Sequence, residues 1–389
     1  MNFPISKGWH RAAGAAAAAT AALAALCIVA AAPMPARAQS AAERAMERSN
    51  KGVVEIVAGS VDGSDLRIAS DLSTVLDDGA TRRVLPIVGK GSLQNLTDLI
   101  ALRGTDLAIV QSDVLAYAKA KKLYRGQEGA LTYVAKLYNQ EFHLLARDDV
   151  KTVQDLQGKP VNYDVQGSGT AITAAAVFDS LKIGVTPTFH DQAAAIEMLK
   201  SGQIAALAFV AAKPAPLFQT LRNDDGFHFL SVPVGGDLQA SYYPARLSAE
   251  DYPNLFGANG SVDTPAVGTV MLVAGLPPNT ERYRSVAAFV DAFFTQFDKL
   301  LEVPRHPKWQ EVNLAADLPG WRRFAPADAW LKAHPSSAPG LNEAQMRDLF
   351  VKFLDERSHA SSGKGLTAQQ KEDLFSQFQA WQQAATQRR

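Results

Sequence analysis

The sequence predicts an α/β protein with two lobes. Short runs rich in valine and isoleucine, typical of buried strands, alternate with helical patterns along most of the chain. Removal of residues 1–38 would leave 351 residues, more than one hydrophobic core usually supports. The order of the strands indicates that the chain returns to its first lobe. We therefore predict lobe I from residues 39–147 and 266–303, and lobe II from residues 148–265.

Residues 1–38 are predicted to be a secretory signal peptide. Lys7 and Arg11 precede the apolar run Ala12–Ala32, and Ala36-Arg37-Ala38 provides a cleavage site of the small-x-small type. An uncleaved membrane anchor is the alternative, because the apolar run is long enough to span a bilayer. We expect cleavage after Ala38 and a periplasmic product that does not itself span the membrane.

The composition argues against nucleic-acid binding and thiol chemistry. Without the signal peptide the chain has 36 Lys and Arg against 39 Asp and Glu, a formal charge of −3, so a nucleic-acid partner is not expected. The single cysteine, Cys27, lies in the signal peptide, so the mature chain would have no disulfide. No histidine pairs with another histidine at metal-ligand spacing, and we expect neither a metal nor a cofactor.

The predicted elements of lobe I begin directly after the signal region. Val53–Gly59, Arg83–Gly89 and Leu107–Gln111 are predicted strands, and approximately Leu66–Leu76 and Ser92–Arg103 are predicted helices. Two later apolar strands are predicted to cross between the lobes. These are Phe142–Arg147 and Gly268–Ala274, the second followed by a helix over Thr280–Phe297.

Lobe II repeats the alternation of strand and helix. A capping box at Thr152 and Asp155 is predicted to open a short helix that ends at Gly158. The further predicted elements are strands at Val161–Asp164, Thr186–His190, Leu207–Val210 and Phe227–Val232, a helix from Thr170, and a helix between Asp191 and Gly202. Residues 233–265 are interpreted as loops with one short helix. Residues 304–389 are predicted to be a wrapping segment, Pro304–Pro339, followed by two amphipathic helices that pack on the protein.

Four predicted strands end in glycine or hydroxyl residues just before a helix. Gly167-Ser168-Gly169-Thr170 combines a backbone open to close approach, hydroxyl donors and the free N–H groups of a helix N-terminus, which suits an anion. An N-capped turn is the alternative explanation. Gly59-Ser60, Gly89-Lys90-Gly91-Ser92 and Gln111-Ser112-Asp113 follow other strands. Ligands of open α/β sheets lie at the carboxyl ends of strands, so together these junctions indicate a small-molecule site.

Motifs of common enzymes are not present in the sequence. It contains no Gly-x-Ser-x-Gly nucleophile elbow and no Gly-x4-Gly-Lys-Ser/Thr phosphate loop. Ile172 replaces the last glycine of a dinucleotide fingerprint that would begin at Gly167. We therefore predict a binding protein that is not an enzyme.

Several motifs together resemble the TAXI solute-binding proteins of TRAP transporters. Leu107-Ala-Ile-Val-Gln-Ser-Asp-Val114, preceded by Gly89-Lys-Gly-Ser-Leu-Gln-Asn-Leu96, resembles one signature of that family. Val153–Lys159 with Gly167–Thr170 is similar to a second motif, and Gly202–Val210 to a third. The resemblance covers about residues 53–300.

The resemblance implies a type II periplasmic binding protein, a two-lobed Venus-flytrap fold, here with a mainly helical C-terminal extension. Proteins of this family typically bind carboxylates, so a small organic anion such as a dicarboxylate, a 2-oxoacid or glutamate is the expected ligand. The expected partners are the membrane subunits of a TRAP permease. The junctions and the resemblance together give the expected ligand-binding residues: Ser60, Lys90, Gly91, Ser92, Gln111, Ser112, Gly167, Ser168, Gly169, Thr170 and Val210.

Two positions depart from the family pattern. Asp65-Leu66 stand where many relatives have paired aromatic residues, and Lys90 interrupts a usual double glycine. An aspartate near the pocket disfavours a carboxylate ligand unless the aspartate is solvated or paired. The alternatives are a receptor for an ABC importer or a sensor kinase, and an exported enzyme. Porphobilinogen deaminase shares the two-lobed fold, but its chemistry needs a cysteine that the mature chain lacks.

Overall fold

The computed structural model describes residues 40, 51–126, 131–256 and 260–334. The predicted signal peptide and the two predicted amphipathic C-terminal helices lie outside these residues. Within the described ranges, every helix is too short or too polar to cross a bilayer.

The described chain contains ten strands and eight α-helices. The strands are β1 Val53–Val57, β2 Arg83–Ile87, β3 Leu107–Gln111, β4 Thr132–Arg147, β5 Pro160–Asn162, β6 Thr186–Thr188, β7 Ala206–Ala211, β8 Phe227–Phe229, β9 Tyr243–Ser248 and β10 Ser261–Val273. The helices are α1 Ser64–Leu76, α2 Ser92–Ala101, α3 Ser112–Ala120, α4 Gly169–Leu181, α5 Gln192–Lys200, α6 Pro216–Gln219, α7 Glu281–Thr295 and α8 Ala325–Ala333. Short 3-10 helices include Val153–Leu156, Gly236–Ala240 and Pro307–Glu311.

The strands form one mixed sheet with the order β2-β1-β3-β10-β4-β7-β5-β6. Strands β2, β1 and β3 are parallel and form a first group, and β7, β5 and β6 are parallel and form a second group. The long strands β4 and β10 are antiparallel to each other and lie between the two groups. The predicted α/β fold with two lobes is therefore confirmed.

Strands β4 and β10 pass from one group to the other, as predicted. The first part of β4 pairs with β10, and the part from Glu141 onward pairs with β7. Conversely, β10 pairs with β9 up to Ala266 and with β3 from Thr269. Both strands begin earlier than predicted, because the residues that precede each predicted apolar segment also pair in the sheet. We call the region around Glu141 and Ala266 the crossing point.

Local capping signals position several helices as the sequence predicted. Thr152 and Asp155 form the predicted capping box. The Asp191 carboxylate accepts the N–H of Ala194 at the start of α5, and Thr280 accepts the N–H of Tyr283 at the start of α7. Each cap gives an otherwise unpaired N–H group an acceptor, which fixes where the helix begins.

Two predictions of irregular structure were wrong. Residues 233–265 contain strand β9, which pairs with β10 over six residues. Pro244 and Pro265 hid this pairing in the sequence, but prolines are tolerated near the edge of a sheet. The predicted wrapping segment also contains helix α8, with Pro326 in its first turn, where its missing N–H is not needed.

The C-terminal segment packs into the core of the first group. Trp309 is fully buried and lies edge-on to Phe293 of α7. Its indole N–H donates to Asp71 of α1 at 3.0 Å, which satisfies the one polar atom of the ring. The second group has separate cores, one of which contains an aromatic cluster around the fully buried His143. Burial lowers the pKa of His143 to about 3, so this histidine is a neutral core residue.

Candidate functional site

The strand-end loops of the two groups touch each other. We call this contact zone the junction; it comprises residues 59–65, 89–92 and 111–113 of the first group and 164–173 and 210–213 of the second. A Cβ atom on Gly91 would lie 2.8 Å from Cα of Ser168, and one on Gly169 would lie 1.9 Å from Oε1 of Gln111. Gly91, which has a φ of +118°, therefore requires glycine for the loops to approach this closely, whereas a side chain at Gly169 would displace the Gln111 side chain.

Three predicted hydroxyl residues of the junction each accept a backbone N–H. Ser92 Oγ accepts the Gln111 N–H at 3.1 Å, and Ser168 Oγ accepts the Ala171 N–H at 3.1 Å. Thr170 Oγ1 accepts the Val210 N–H at 3.0 Å. A hydroxyl that accepts one bond still has its own hydrogen to donate. The Ser168 hydroxyl donates its hydrogen to the Asp164 carboxylate, whereas Ser92 and Thr170 each still have a hydroxyl hydrogen to donate.

The other predicted site residues lie at different depths. Ser60 and Ser112 are half-buried, Gly167 adopts a φ of +86°, and Lys90 is exposed. The structure thus brings together the buried set Ser92, Gln111, Ser168, Gly169, Thr170 and Val210, with Gly91 against Ser168. Lys90 is not part of that buried set, and its role as a counter-charge remains a prediction.

Sequence reasoning missed a buried hydrogen-bond chain next to the junction. Tyr138 donates its hydroxyl to the Asp65 carboxylate, and the Gln140 amide donates to the same oxygen at 2.8 Å. Gln111 Nε2 donates to Gln140 Oε1 at 2.8 Å. Burial raises the pKa of Asp65 to about 6, although the bond from Tyr138 opposes this shift. Asp65 is therefore paired with residues of the crossing strand β4, and no local sequence signal identified these partners.

A second buried carboxylate connects the two groups directly. Asp113, in the first turn of α3, accepts the Thr173 hydroxyl at 2.6 Å and the Tyr242 hydroxyl at 2.9 Å. Thr173 belongs to α4 and Tyr242 precedes β9, so both donors come from the second group. Burial raises the pKa of Asp113, and the two hydroxyl donors partly offset this effect. The sequence showed Asp113 as part of a motif, but its donors are 60 and 129 residues away.

The junction is rich in acidic groups. Burial raises the pKa of Asp164 to about 6; hydrogen bonds from Val165 and Ser168 lower it, and the charges of Asp62 and Asp191 raise it further. Asp62 is in the first group, so like charges face each other across the junction. Together with Asp65 and Asp113, these carboxylates oppose an anion unless a cation balances them.

An open groove of about 550 Å³ lies beside the junction. Its walls come from the first turns of α1, from the chain that follows β7, and from residues 304–307 of the C-terminal segment. Arg67 and Arg305 both line it, and so does His306, whose pKa is lowered to about 4 by burial. His306 is thus neutral at physiological pH. From the sequence, residues 304–307 were assigned only to a wrapping segment with a role in packing or docking, and no signal indicated this groove.

Comparisons with known proteins show related sequence patterns and distant structural similarity. The family model described as "NMT1-like family" matches residues 56–242. The periplasmic binding protein BugD is 12% identical and has a TM-score of 0.44, over 74% of this chain and 94% of BugD. MatC from Rhodopseudomonas palustris, solved with bound malate, is 18% identical with a TM-score of 0.42, over 74% of this chain and 97% of MatC. The alkanesulfonate-binding protein SsuA from Xanthomonas axonopodis pv. citri, bound to MOPS, is 19% identical with a TM-score of 0.41, over 77% and 93% of the two chains. These identities and scores are too low to transfer a ligand to this chain.

Proposed function

We propose that this protein is an exported receptor that captures a small organic anion between two lobes and delivers it to a membrane permease. The proposed lobes are residues 39–147 with 266–303, and residues 148–265. The proposed ligand class is that of dicarboxylates, 2-oxoacids and amino acids such as glutamate. On this proposal the protein binds its solute without chemical change.

The close contact between the strand-end loops carries this proposal. Gly91 against Ser168 and Gly169 against Gln111 bring together loops that the chain separates by more than 50 residues. Ser64 Oγ also accepts the Ala212 N–H at 3.0 Å across the same junction. Contact through glycine and a small set of polar side chains suits two bodies that meet and separate, as hinge closure around a ligand requires.

Binding of a panel of anions tests the proposal. A ligand that binds only the folded protein raises its melting temperature, so dicarboxylates, 2-oxoacids and amino acids would be screened by thermal denaturation. Small-angle X-ray scattering would then follow the radius of gyration, which should fall when a compound that raised the melting temperature is added. If no compound of the panel raised the melting temperature, the receptor proposal would be refuted.

A variant at the junction tests the location of the site. Ser168→Ala removes a hydroxyl that caps α4. The affinity for an anion that scored in the screen should fall about three- to tenfold if the anion lies in the junction, and should stay unchanged if it lies in the adjoining groove. Ser180→Ala, in the same helix, is the matched control and should leave affinity unchanged. Equal affinity in the two variants would place the anion outside the reach of Ser168.

We propose a TRAP permease as the partner, because the quoted motifs resemble the TAXI receptors of those systems. Solute uptake by vesicles that contain the cognate TRAP permease should depend on added receptor. Uptake that instead required an ATP-hydrolysing importer would support the alternative of an ABC receptor.

A further inference from the structure

The junction itself contains little positive charge to balance a bound anion. Asp62, Asp65, Asp113 and Asp164 lie there, whereas Lys90 points to solvent-exposed surface and Lys213 is paired with Asp251 at 3.1 Å. An anion placed among these carboxylates would be repelled. The charged group of a solute therefore needs a cation close to the junction but outside it.

The groove beside the junction contains such a cation. Arg305 lines the groove, and among the described residues it has no carboxylate within ion-pair distance. Its Nε atom is buried, and no described residue accepts its hydrogen. A buried guanidinium N–H without an acceptor is costly, so an anion that approached Arg305 could offset that cost. The structure thus holds an arginine that is partly desolvated and has no counter-ion among the described residues.

The second arginine of the groove is already engaged. Arg67 lies 3.4 Å from the Asp71 carboxylate and donates to the Pro304 carbonyl at 2.8 Å. It therefore fixes the C-terminal segment against α1 and positions the neighbouring Arg305. The exposed carboxylate of Asp62 also lines the groove, so a solute with a second negative charge at that end would be disfavoured.

The remaining walls of the groove are mainly apolar. Leu66 of α1, Pro214 and Leu217 after β7, and Pro304 and Pro307 of the C-terminal segment line it. Burial of hydrocarbon against such walls is favourable because it removes apolar surface from water. A volume of about 550 Å³ is within the range of small-molecule sites.

We propose that this groove holds the solute, with Arg305 bound to a single carboxylate and the apolar walls around a hydrocarbon body. This inference rests on the proposed function and, within its ligand class, favours 2-oxoacids with one carboxylate and an apolar chain over dicarboxylates. The groove has walls from both groups of strands, so a solute in it would contact both proposed lobes.

Three probes test the charge and the hydrocarbon separately: hexanoate, its neutral counterpart hexanamide, and the dianion succinate. Binding to the full mature chain would be measured by isothermal titration calorimetry. Hexanoate should bind more tightly than either of the other probes. Tighter binding of succinate or hexanamide than of hexanoate would overturn the assigned ligand class.

Variants of Arg305 test the position of the carboxylate. Arg305→Gln should weaken hexanoate binding about 10- to 100-fold and leave hexanamide unchanged, because only the anion uses the charge. Arg305→Lys keeps the charge and should retain most of the affinity, while Arg103→Gln, an exposed arginine outside the groove, is the matched control. Unchanged hexanoate affinity in a folded Arg305→Gln protein would overturn this inference and leave the receptor proposal intact. Failure of every anion to bind would refute the receptor proposal instead.

Discussion

The carboxylate of Asp113 is expected to hold the two groups of strands together. Replacing Asp113 with alanine would remove the acceptor for the hydroxyls of Thr173 and Tyr242, both of which are buried. The substitution therefore acts on the contact between the groups more than on either core.

The size of the effect follows from the two lost bonds. Each buried donor left without an acceptor costs about 1 to 3 kcal/mol, and loss of an acid from the first turn of α3 adds a few tenths. Relief of carboxylate burial, which raises the pKa of Asp113, acts in the opposite direction. We expect Asp113→Ala to lower the free energy of unfolding by about 2 to 4 kcal/mol. Asp113→Asn keeps an acceptor and should lose about half as much.

Urea denaturation of the purified protein measures this difference, and small-angle X-ray scattering reports whether the junction opens. Asp179→Ala is the control, because Asp179 is exposed on α4, the helix that carries Thr173. The reasoning would be refuted if Asp113→Ala were no less stable than Asp179→Ala and had an unchanged radius of gyration.

Three further changes separate contact, charge and pH effects. Gly91→Ala should open the junction and raise the radius of gyration, because the new Cβ would lie 2.8 Å from Ser168. Gly79 is the control: it has a φ of +69° and no neighbour within 4 Å, so Gly79→Ala should lower stability by about 1 kcal/mol without opening the junction. Equal radii of gyration in the two variants would contradict this prediction. Lys308→Met should lower the free energy of unfolding, measured by urea denaturation, by about 3 to 5 kcal/mol, because it leaves the buried Glu141 without its ion-pair partner at 2.6 Å. The double variant Lys308→Met/Glu141→Leu should regain most of that stability. If the losses of the two substitutions were additive, the ion pair would not be their cause. Burial raises the pKa of Asp65 to about 6, so the folded protein holds the proton of this carboxyl more tightly than the unfolded chain does. The resulting stabilisation is fully present below pH 4 and is lost as the pH rises through 6, which lowers the free energy of unfolding by about 3 kcal/mol. Asp65→Asn should flatten that part of the stability curve, and an unchanged slope between pH 4 and 7 would show that Asp65 does not cause it.

The strands and helices of this protein were predictable where the signal was local. Strand β3 was predicted with its observed bounds, Leu107–Gln111, because five consecutive apolar or buried positions end at a helix N-terminus. The cap at Asp191 was also read from neighbouring residues. Strand β9 was missed because its pairing with β10 depends on residues more than ten positions away. Local periodicity carries no information about such partners.

The residues of the candidate site also differ in whether the sequence could identify them. The hydroxyl and glycine residues at strand ends were identifiable because the carboxyl ends of strands in an α/β sheet meet. The partners of Asp65 and Asp113 were not, since Tyr138, Thr173 and Tyr242 reach them from other elements. The resemblance to a family likewise stopped before residues 304–307, and these residues form one wall of the groove.

The C-terminal segment connects the proposed groove to the proposed movement. Lys308 binds Glu141 at the crossing point, and Trp309 binds Asp71 of the first group, so this segment is fixed to the first group and to the strand between the groups. The opposite wall, around Leu217, belongs to the second group. Any rotation of the groups about the crossing point would therefore change the width of the groove. A solute that binds both walls would favour the narrow state by as much as its affinity for that state exceeds its affinity for the wide one. A site built on one group alone would have no such differential affinity, and binding there would not drive closure.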